Sequence, residues 1–242
     1  KWFSEIEDTT NLVPRSEALL FMSIPQFQQA VQNPFFMEQM AQQFLALDVI
    51  TSNPTAMDII ASSEVAMEAV INNEMVLSAV VNSEVAMEAV AASEVAMEAV
   101  AASEVALSAI FDSWLARLAI WESEMASQTI MQQARAWLEA NVAEEAYRQS
   151  DSSEFAMVVD KKGLLLAIRH DIGTEPSSSW NGEMRVFAQE PTARSYTDIV
   201  GGSLAANTWY DVAYRMENFQ VKNRQSGTTE RRLDFRYVPM EP

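Results

Sequence analysis

The chain contains no cysteine, a single histidine and only six glycines, every one of them at or beyond Gly163. Without cysteine, disulfide staples and thiolate metal centres are excluded, and the redox environment leaves no mark. With one histidine, any catalytic arrangement that needs an imidazole must use His170. No Gly-x-Ser-x-Gly elbow accompanies it, so a strand-end histidine beside Asp171 is favoured over a Ser-His-Asp centre. No apolar run approaches the roughly 18 residues of a membrane span, and no membrane insertion is expected. Basic residues are scarce as well: 16 Lys and Arg stand against 34 Asp and Glu, for a formal net charge of −18. Such a surface repels phosphates, and with no basic stripe to offset it, no nucleic-acid partner is expected.

What the chain has in abundance is one pattern of ten residues, repeated from Thr51 to Ile130 and clearest in SEVAMEAVAA, which begins at Ser83 and again at Ser93. The third column reads Asn53, Ser63, Asn73, Ser83, Ser93, Ser103, Ser113, Ser123. All are residues whose short side chains accept a hydrogen bond from the unpaired N–H groups of a helix start. The fourth column is Pro54, then glutamate at positions 64, 74, 84, 94, 104 and 124, with Trp114 between. Proline and glutamate share a preference for the first helical turn, through a preset φ and through the helix dipole respectively. A helix is therefore expected to begin every ten residues, with Ser63, Ser83, Ser93 and Ser103 as structural N-caps.

Val85, Ala86, Met87, Ala89, Val90 and Ala91 cover an arc of roughly 240° at helical spacing, which leaves Glu84 and Glu88 to face water. So wide an arc predicts a helix wedged between the preceding repeat, the following repeat and a neighbouring chain. A single continuous helix would let the stripe drift by about 80° per unit, faster than coiled coils tolerate. The expectation is a solenoid of helices about seven residues long, held by packing because such helices are unstable alone. Looser copies at Ser23-Pro25 and Asn33-Pro34 extend the array to residues 21–130, about eleven units, behind an N-terminal segment of residues 1–20. Larger side chains near both ends, among them Phe35, Phe36, Trp114 and Trp121, suit terminal caps.

Composition changes near residue 150. The first 150 residues carry 21 acidic and 5 basic side chains; the remainder carries 13 and 11. Residues 131–150, rich in Ala, Glu and Gln, read as one longer connecting helix. Beyond them, residues 155–159, 163–169, 184–188, 195–200, 208–221 and 232–238 are β-prone runs, with turn signals at Asp160-Lys161-Lys162-Gly163, Asn181-Gly182 and Ser226-Gly227. The fold class expected is α+β with the two kinds of structure segregated, ending in an antiparallel β-sandwich over residues 151–242.

Candidate chemistry is sparse. The ladder Met57, Met67, Met87, Met97 reads as core filler rather than a soft-metal site. Glu64/Glu68, Glu84/Glu88 and Glu94/Glu98 read as solvated faces, since no Asp-rich loop completes a coordination shell. No catalytic residue, metal or cofactor is assigned. The candidates for binding are in the β region. The polar loop from Gly173 to Gly182 carries Ser178, Trp180 and Asn181, which suit a sugar or partner contact, although Trp180 folded back as a lid is the favoured alternative. Arg232 and Arg236, with Arg231, suit an edge attractive to acidic polysaccharide, but pairing with Glu230 and Asp234 is favoured over it. Trp209, Tyr210 and Tyr214 read as core or inter-subunit contacts.

The SEVAMEAVAA decads, followed by a small β region that ends in Leu233-Asp-Phe-Arg-Tyr-Val-Pro-Met240, resemble fibre-type virion proteins of tailed bacteriophages. The resemblance covers roughly residues 50–130 and the last few residues of the chain. It implies a tail, collar or head fibre located in the virion, with the repeat as shaft and the β region as tip. The partners it implies are the chain itself, as a homotrimer, other virion proteins, and host-surface glycan. No catalytic residue carries over, because the pattern has none. The start at Lys1 is compatible with an attachment region missing from the N-terminus. A fibre-borne glycan depolymerase is the competing class, and its carboxylates would have to come from Glu175, Glu183 and Glu190.

Overall fold

A computed structural model describes residues 23–41, 44–142, 144–149, 156–171, 184–189, 191, 197–198, 205–223 and 231–242. The chain divides into two compact units, Lys1–Ala126 and Ser127–Pro242, with helices in the N-terminal half and antiparallel sheets in the C-terminal part.

The described helices are α1 (Ile24–Ala30), α2 (Pro34–Ala41), α3 (Phe44–Thr51), α4 (Pro54–Ala61), α5 (Glu64–Ile71), α6 (Glu74–Val81), α7 (Glu84–Ala92), α8 (Glu94–Ala101), α9 (Glu104–Asp112), α10 (Trp114–Glu122), α11 (Glu124–Gln133) and α12 (Arg135–Asn141). From Asn53 to Ser113 one residue in extended conformation per decad makes each break. Ser93, for example, has φ −102° and ψ 120°, an extended conformation between two helices. The axes of α6 and α7 are bent by 95° across such a junction. No single helix among the described residues is long and apolar enough to cross a membrane.

Each helix from α2 to α9 touches the next, and each also touches the one three further on, from α1 with α4 to α7 with α10. Short helices cannot hold themselves, and these two sets of neighbours supply the burial they need. In α7, Ala86, Met87, Ala89, Val90 and Ala91 are buried, whereas Val85 is half-exposed. The fifth column is thus the margin of the expected apolar arc, and Met75, Val95 and Val105 stand out from it into solvent. Met57, Met67, Met87 and Met97 are all buried in the core of the array.

Among the described residues the second unit holds two four-stranded sheets. One has the order β1 (Glu144–Gln149), β8 (Arg231–Pro239), β3 (Gly163–His170), β6 (Tyr210–Met216); the other is β2 (Ala156–Val159), β7 (Asn218–Asn223), β4 (Met184–Gln189), β5 (Thr197–Asp198). Every pairing among the described strands is antiparallel. A single apolar cluster draws Leu165, Ile168, Met216, Leu233, Phe235 and Tyr237 from the first sheet and Val186, Phe219 and Val221 from the second. Phe219 and Phe235 meet edge to face at 5.0 Å, a favoured aromatic geometry.

Two expectations differ from this architecture. The segment 131–150 is not one helix: the chain breaks at Ala134, α12 ends at Asn141, and Glu144–Gln149 is a strand paired with β8. Its Glu, Ala and Gln favour helix locally, but the pairing with β8 and the contact of Tyr147 with the core override that preference. The run 208–221 is two strands, β6 and β7, which separate at Glu217 and enter different sheets. The Asp160–Gly163 turn signal falls between β2 and β3, which belong to different sheets.

Candidate functional site

The outward face of the first sheet carries a cluster of charged side chains. Strand alternation sends Leu233, Phe235 and Tyr237 into the core, so Arg232, Asp234 and Arg236 of β8 face outward. The register places Arg169 of β3 opposite Asp234, and Glu144 of β1 opposite Arg236. Arg169 donates to Asp234 Oδ2 through Nε at 3.0 Å and Nη2 at 2.8 Å, and to Glu144 Oε1 at 2.7 Å. Arg232 Nε donates to the other oxygen of Asp234 at 2.5 Å. Asp234 is buried, and a buried carboxylate needs this kind of compensation.

Trp209, just before β6, completes the cluster. Arg169 lies over its ring at 4.7 Å and Arg236 at 4.4 Å, both within cation–π range. Arg236 also comes within 3.9 Å of Glu139 on α12. Arg135 of the same helix donates to Glu139, to Asp211 and to the carbonyl of Leu166, which ties α12 to the sheet. The ion pairs thus join Arg135, Arg169, Arg232 and Arg236 to Glu139, Glu144, Asp211 and Asp234, four cations to four anions.

Both arginines singled out from the sequence therefore have acidic partners: Arg232 holds Asp234, and Arg236 stacks on Trp209 beside Glu139. Their geometry orders the sheet surface and leaves less positive charge to attract a polyanion. Trp209 is half-buried in a cation stack, while Tyr210 and Tyr214 pack against the core. The sequence signal for this cluster was present in the alternation of Trp209 with Asp211 and of Arg232 with Asp234 and Arg236, but the contribution of α12 was hidden by the reading of residues 131–150 as one helix. Ser178, Trp180 and Asn181 lie outside the described residues, as do Glu175, Glu183 and Glu190.

His170 is the last residue of β3 and is 1% exposed. Its Nε2 is buried without a hydrogen-bond partner among the described residues. Burial lowers its pKa from 6.5 to about 4, against the opposing pull of Asp171. The backbone around it is well fixed: its carbonyl accepts from Asn207 N, and Asp171 exchanges hydrogen bonds with Arg232. It has the surroundings of a neutral core side chain rather than of a general base. Among the described residues no group of three or more His, Asp or Glu side chains could hold a metal ion.

No protein-family model matches the chain, and no curated protein matches it. Its reading rests on its own geometry.

In the helical unit the third-column side chains are bonded to helix starts. Ser63, Ser83, Ser93 and Ser103 accept from the N–H of Ala66, Ala86, Ala96 and Ala106 at 3.2–3.3 Å. Those alanines are fully buried, so the bond satisfies donors that water does not reach. Several of these serines do a second thing that the columns did not reveal. Ser83 Oγ donates to the carbonyl of Thr51, Ser93 to Ala61, Ser113 to Val81 and Ser123 to Ala91, each 32 residues back and at 2.6–2.8 Å. One hydroxyl thereby caps the helix that follows it and satisfies a carbonyl at the end of a helix one tier away.

Proposed function

We propose that the protein is a non-enzymatic structural fibre of a tailed-bacteriophage virion, with the decad array as shaft and the β unit as tip. The observation that carries this reading is the pairing of each helix with the one three further on. That contact rule can be extended by whole sets of three decads without moving any later helix to a different side, as expected of a solenoid whose task is length. The acidic outward columns suit solubility over a long surface. In the β unit we read the two sheets around their common core as a sandwich, with Arg169, Arg232, Arg236, Glu144 and Asp234 on the outward face of its first sheet paired among themselves and with Glu139. Partners on this reading are further copies of the chain, as a homotrimer, other virion proteins, and host-surface glycan met through the polar segment from Gly173 to Gly182.

An antibody raised against the full chain should label thin projections on intact phage particles. Purified particles that lack the chain would overturn the proposal. Docking of the β unit onto neighbouring virion proteins, without host contact, is the architectural alternative, and binding of the full chain to whole host cells would count against it. Shortening of host capsule or lipopolysaccharide chains by the purified protein would replace the non-enzymatic reading with a depolymerase.

A further inference from the structure

Between Arg135 and Gln149 the chain has no glycine and no proline. Helix α12 nevertheless stops at Asn141, where Val142 turns to φ −103° and ψ 133°, and strand β1 follows from Glu144. Six of the eight residues after Asn141 are alanine, glutamate, arginine or glutamine, all strong helix formers. The stop is therefore imposed by the sheet and not by the local sequence.

As a strand, this segment is poorly matched to its place. It lies at the edge of the first sheet and pairs, among the described residues, with β8 alone. The register sets Arg148 opposite Arg232, and like charges directly opposed on a sheet are destabilising. Alternation puts Glu145 on the same side as Tyr147, opposite Phe235 of the core, yet Glu145 is exposed, as are Glu144, Ala146 and Arg148. Beyond the ladder, the strand is held by Tyr147, half-buried against the core, and by Glu144, which accepts from Arg169. A helical continuation would replace the second of these. Glu144 and Arg148 would then stand at i,i+4 in the favoured order, with glutamate N-terminal, as Arg135 and Glu139 already pair at that spacing in α12. Glu144 thus has a partner in each conformation, Arg169 in the strand and Arg148 in the helix.

We propose that Glu144–Gln149 is a conformational switch: a strap that closes the edge of the first sheet as β1, and leaves it by extending α12 as a helix. Helix α12 itself stays in place, because Leu138 is fully buried and Arg135 donates to Asp211 and to the carbonyl of Leu166. It is a standing template, and adding residues to a formed helix avoids the cost of nucleation. Release exchanges the β8 ladder and the core contact of Tyr147 for helical hydrogen bonds and the Glu144–Arg148 pair. It also makes β8 the edge of its sheet, with the main-chain groups that faced β1 open to another strand. The switch therefore decides whether that edge is closed. It lies within the Ser127–Pro242 unit and is independent of the fibre reading.

Saturation-transfer NMR on the full chain reads the second conformation directly. In the parent, residues 144–149 should show a minor state populated on the order of 1% or more, with helical carbonyl and Cα shifts. Ala146→Thr, at an exposed position where threonine favours strand over helix, should reduce that population severalfold. Tyr147→Glu removes the core contact and keeps a good helix former, so it should reverse the populations: helical shifts in the major state and a larger far-UV helical signal. Should Tyr147→Glu unfold the unit, the parent and Ala146→Thr still decide. Coil shifts in the minor state would make β1 a fraying edge and overturn the switch, as would a folded Tyr147→Glu chain whose segment is coil. A parent with no second conformation at 144–149, or an Ala146→Thr chain with its population unchanged, overturns it equally.

Discussion

At the scale of single residues, small changes carry different costs according to what each atom does twice. Ser93 accepts from Ala96 N and donates to the carbonyl of Ala61. Ser93→Ala loses a cap worth about 1 kcal/mol and strands a carbonyl for about 1 kcal/mol more. Thermal or urea unfolding should therefore show a loss of about 2 kcal/mol, whereas a loss of a few tenths would mean the long-range bond is idle. Gly163 is needed for a different reason: a Cβ there would fall 1.8 Å from the ring of Tyr237, whose hydroxyl donates to the carbonyl of Lys162. Gly163→Ala should cost about 1–3 kcal/mol as an overpacked site, and most of that cost should vanish in a Tyr237→Leu background. Additive effects in that double-mutant cycle would disprove the clash. His170 governs acid sensitivity. Its folded pKa of about 4 lies below the ordinary 6.5, because burial disfavours the charged form. The folded state is therefore unpenalised above pH 6.5, and stability is lost as pH falls from 6.5 towards 4, by about 3 kcal/mol in all. His170→Gln should flatten that part of the stability-versus-pH curve, and an unchanged slope would assign it to carboxylates instead.

At the scale of elements, legibility followed the range of the forces involved. Helix starts were visible in the third and fourth columns because capping is local: Ser83 needs only Ala86 N, three residues away. Strand positions such as Gly163–His170 and Arg231–Pro239 were visible because alternation and β-branched or aromatic content are local too. Strand β1 was not. Glu-Glu-Ala-Tyr-Arg-Gln favours helix on its own, and only pairing with Arg231–Arg236, some ninety residues away, makes it a strand. The separation of β6 from β7 at Glu217 was hidden for the same reason, since two strands in different sheets need no turn signal between them. At Ala213 the chain adopts φ 50° beside an irregularity in the β3/β6 register. Alanine tolerates that conformation poorly, so Ala213→Gly should stabilise the β unit by up to about 1 kcal/mol in a melting experiment. A destabilisation would show that the gain in unfolded-state entropy outweighs the strain relieved.

At the scale of the whole molecule, the array reads its own sequence in steps of thirty rather than ten. The first column is buried from Thr51 to Ala101 and again at Trp121, with Phe111 half-buried, and large residues enter it late: Phe111 follows Val81, and Trp121 follows Ala91. Removal of residues 81–110 preserves which side of the array each later helix occupies. Removal of residues 91–100 moves every later helix to a different side and sets Phe111 and Trp121 against partners of another volume. The shorter deletion should therefore be the more damaging one, with the thirty-residue deletion melting at least as high as the ten-residue deletion. The reverse order would refute the three-helix period. The two units also differ in what acid does to them: His170 lies in the Ser127–Pro242 unit, so its loss of stability should appear in the β signals before the helical ones.

The contact between each helix and the one three further on sets a threshold for how this chain can begin to fold. Three consecutive helices contain junctions but no such contact; the fourth is the first to close one. A nascent or truncated array therefore gains nothing from that contact until about forty residues are in place, and each later decad adds to a structure that already exists. Growth of the array is thus a nucleation process, with a minimum size fixed by the number of helices in one tier.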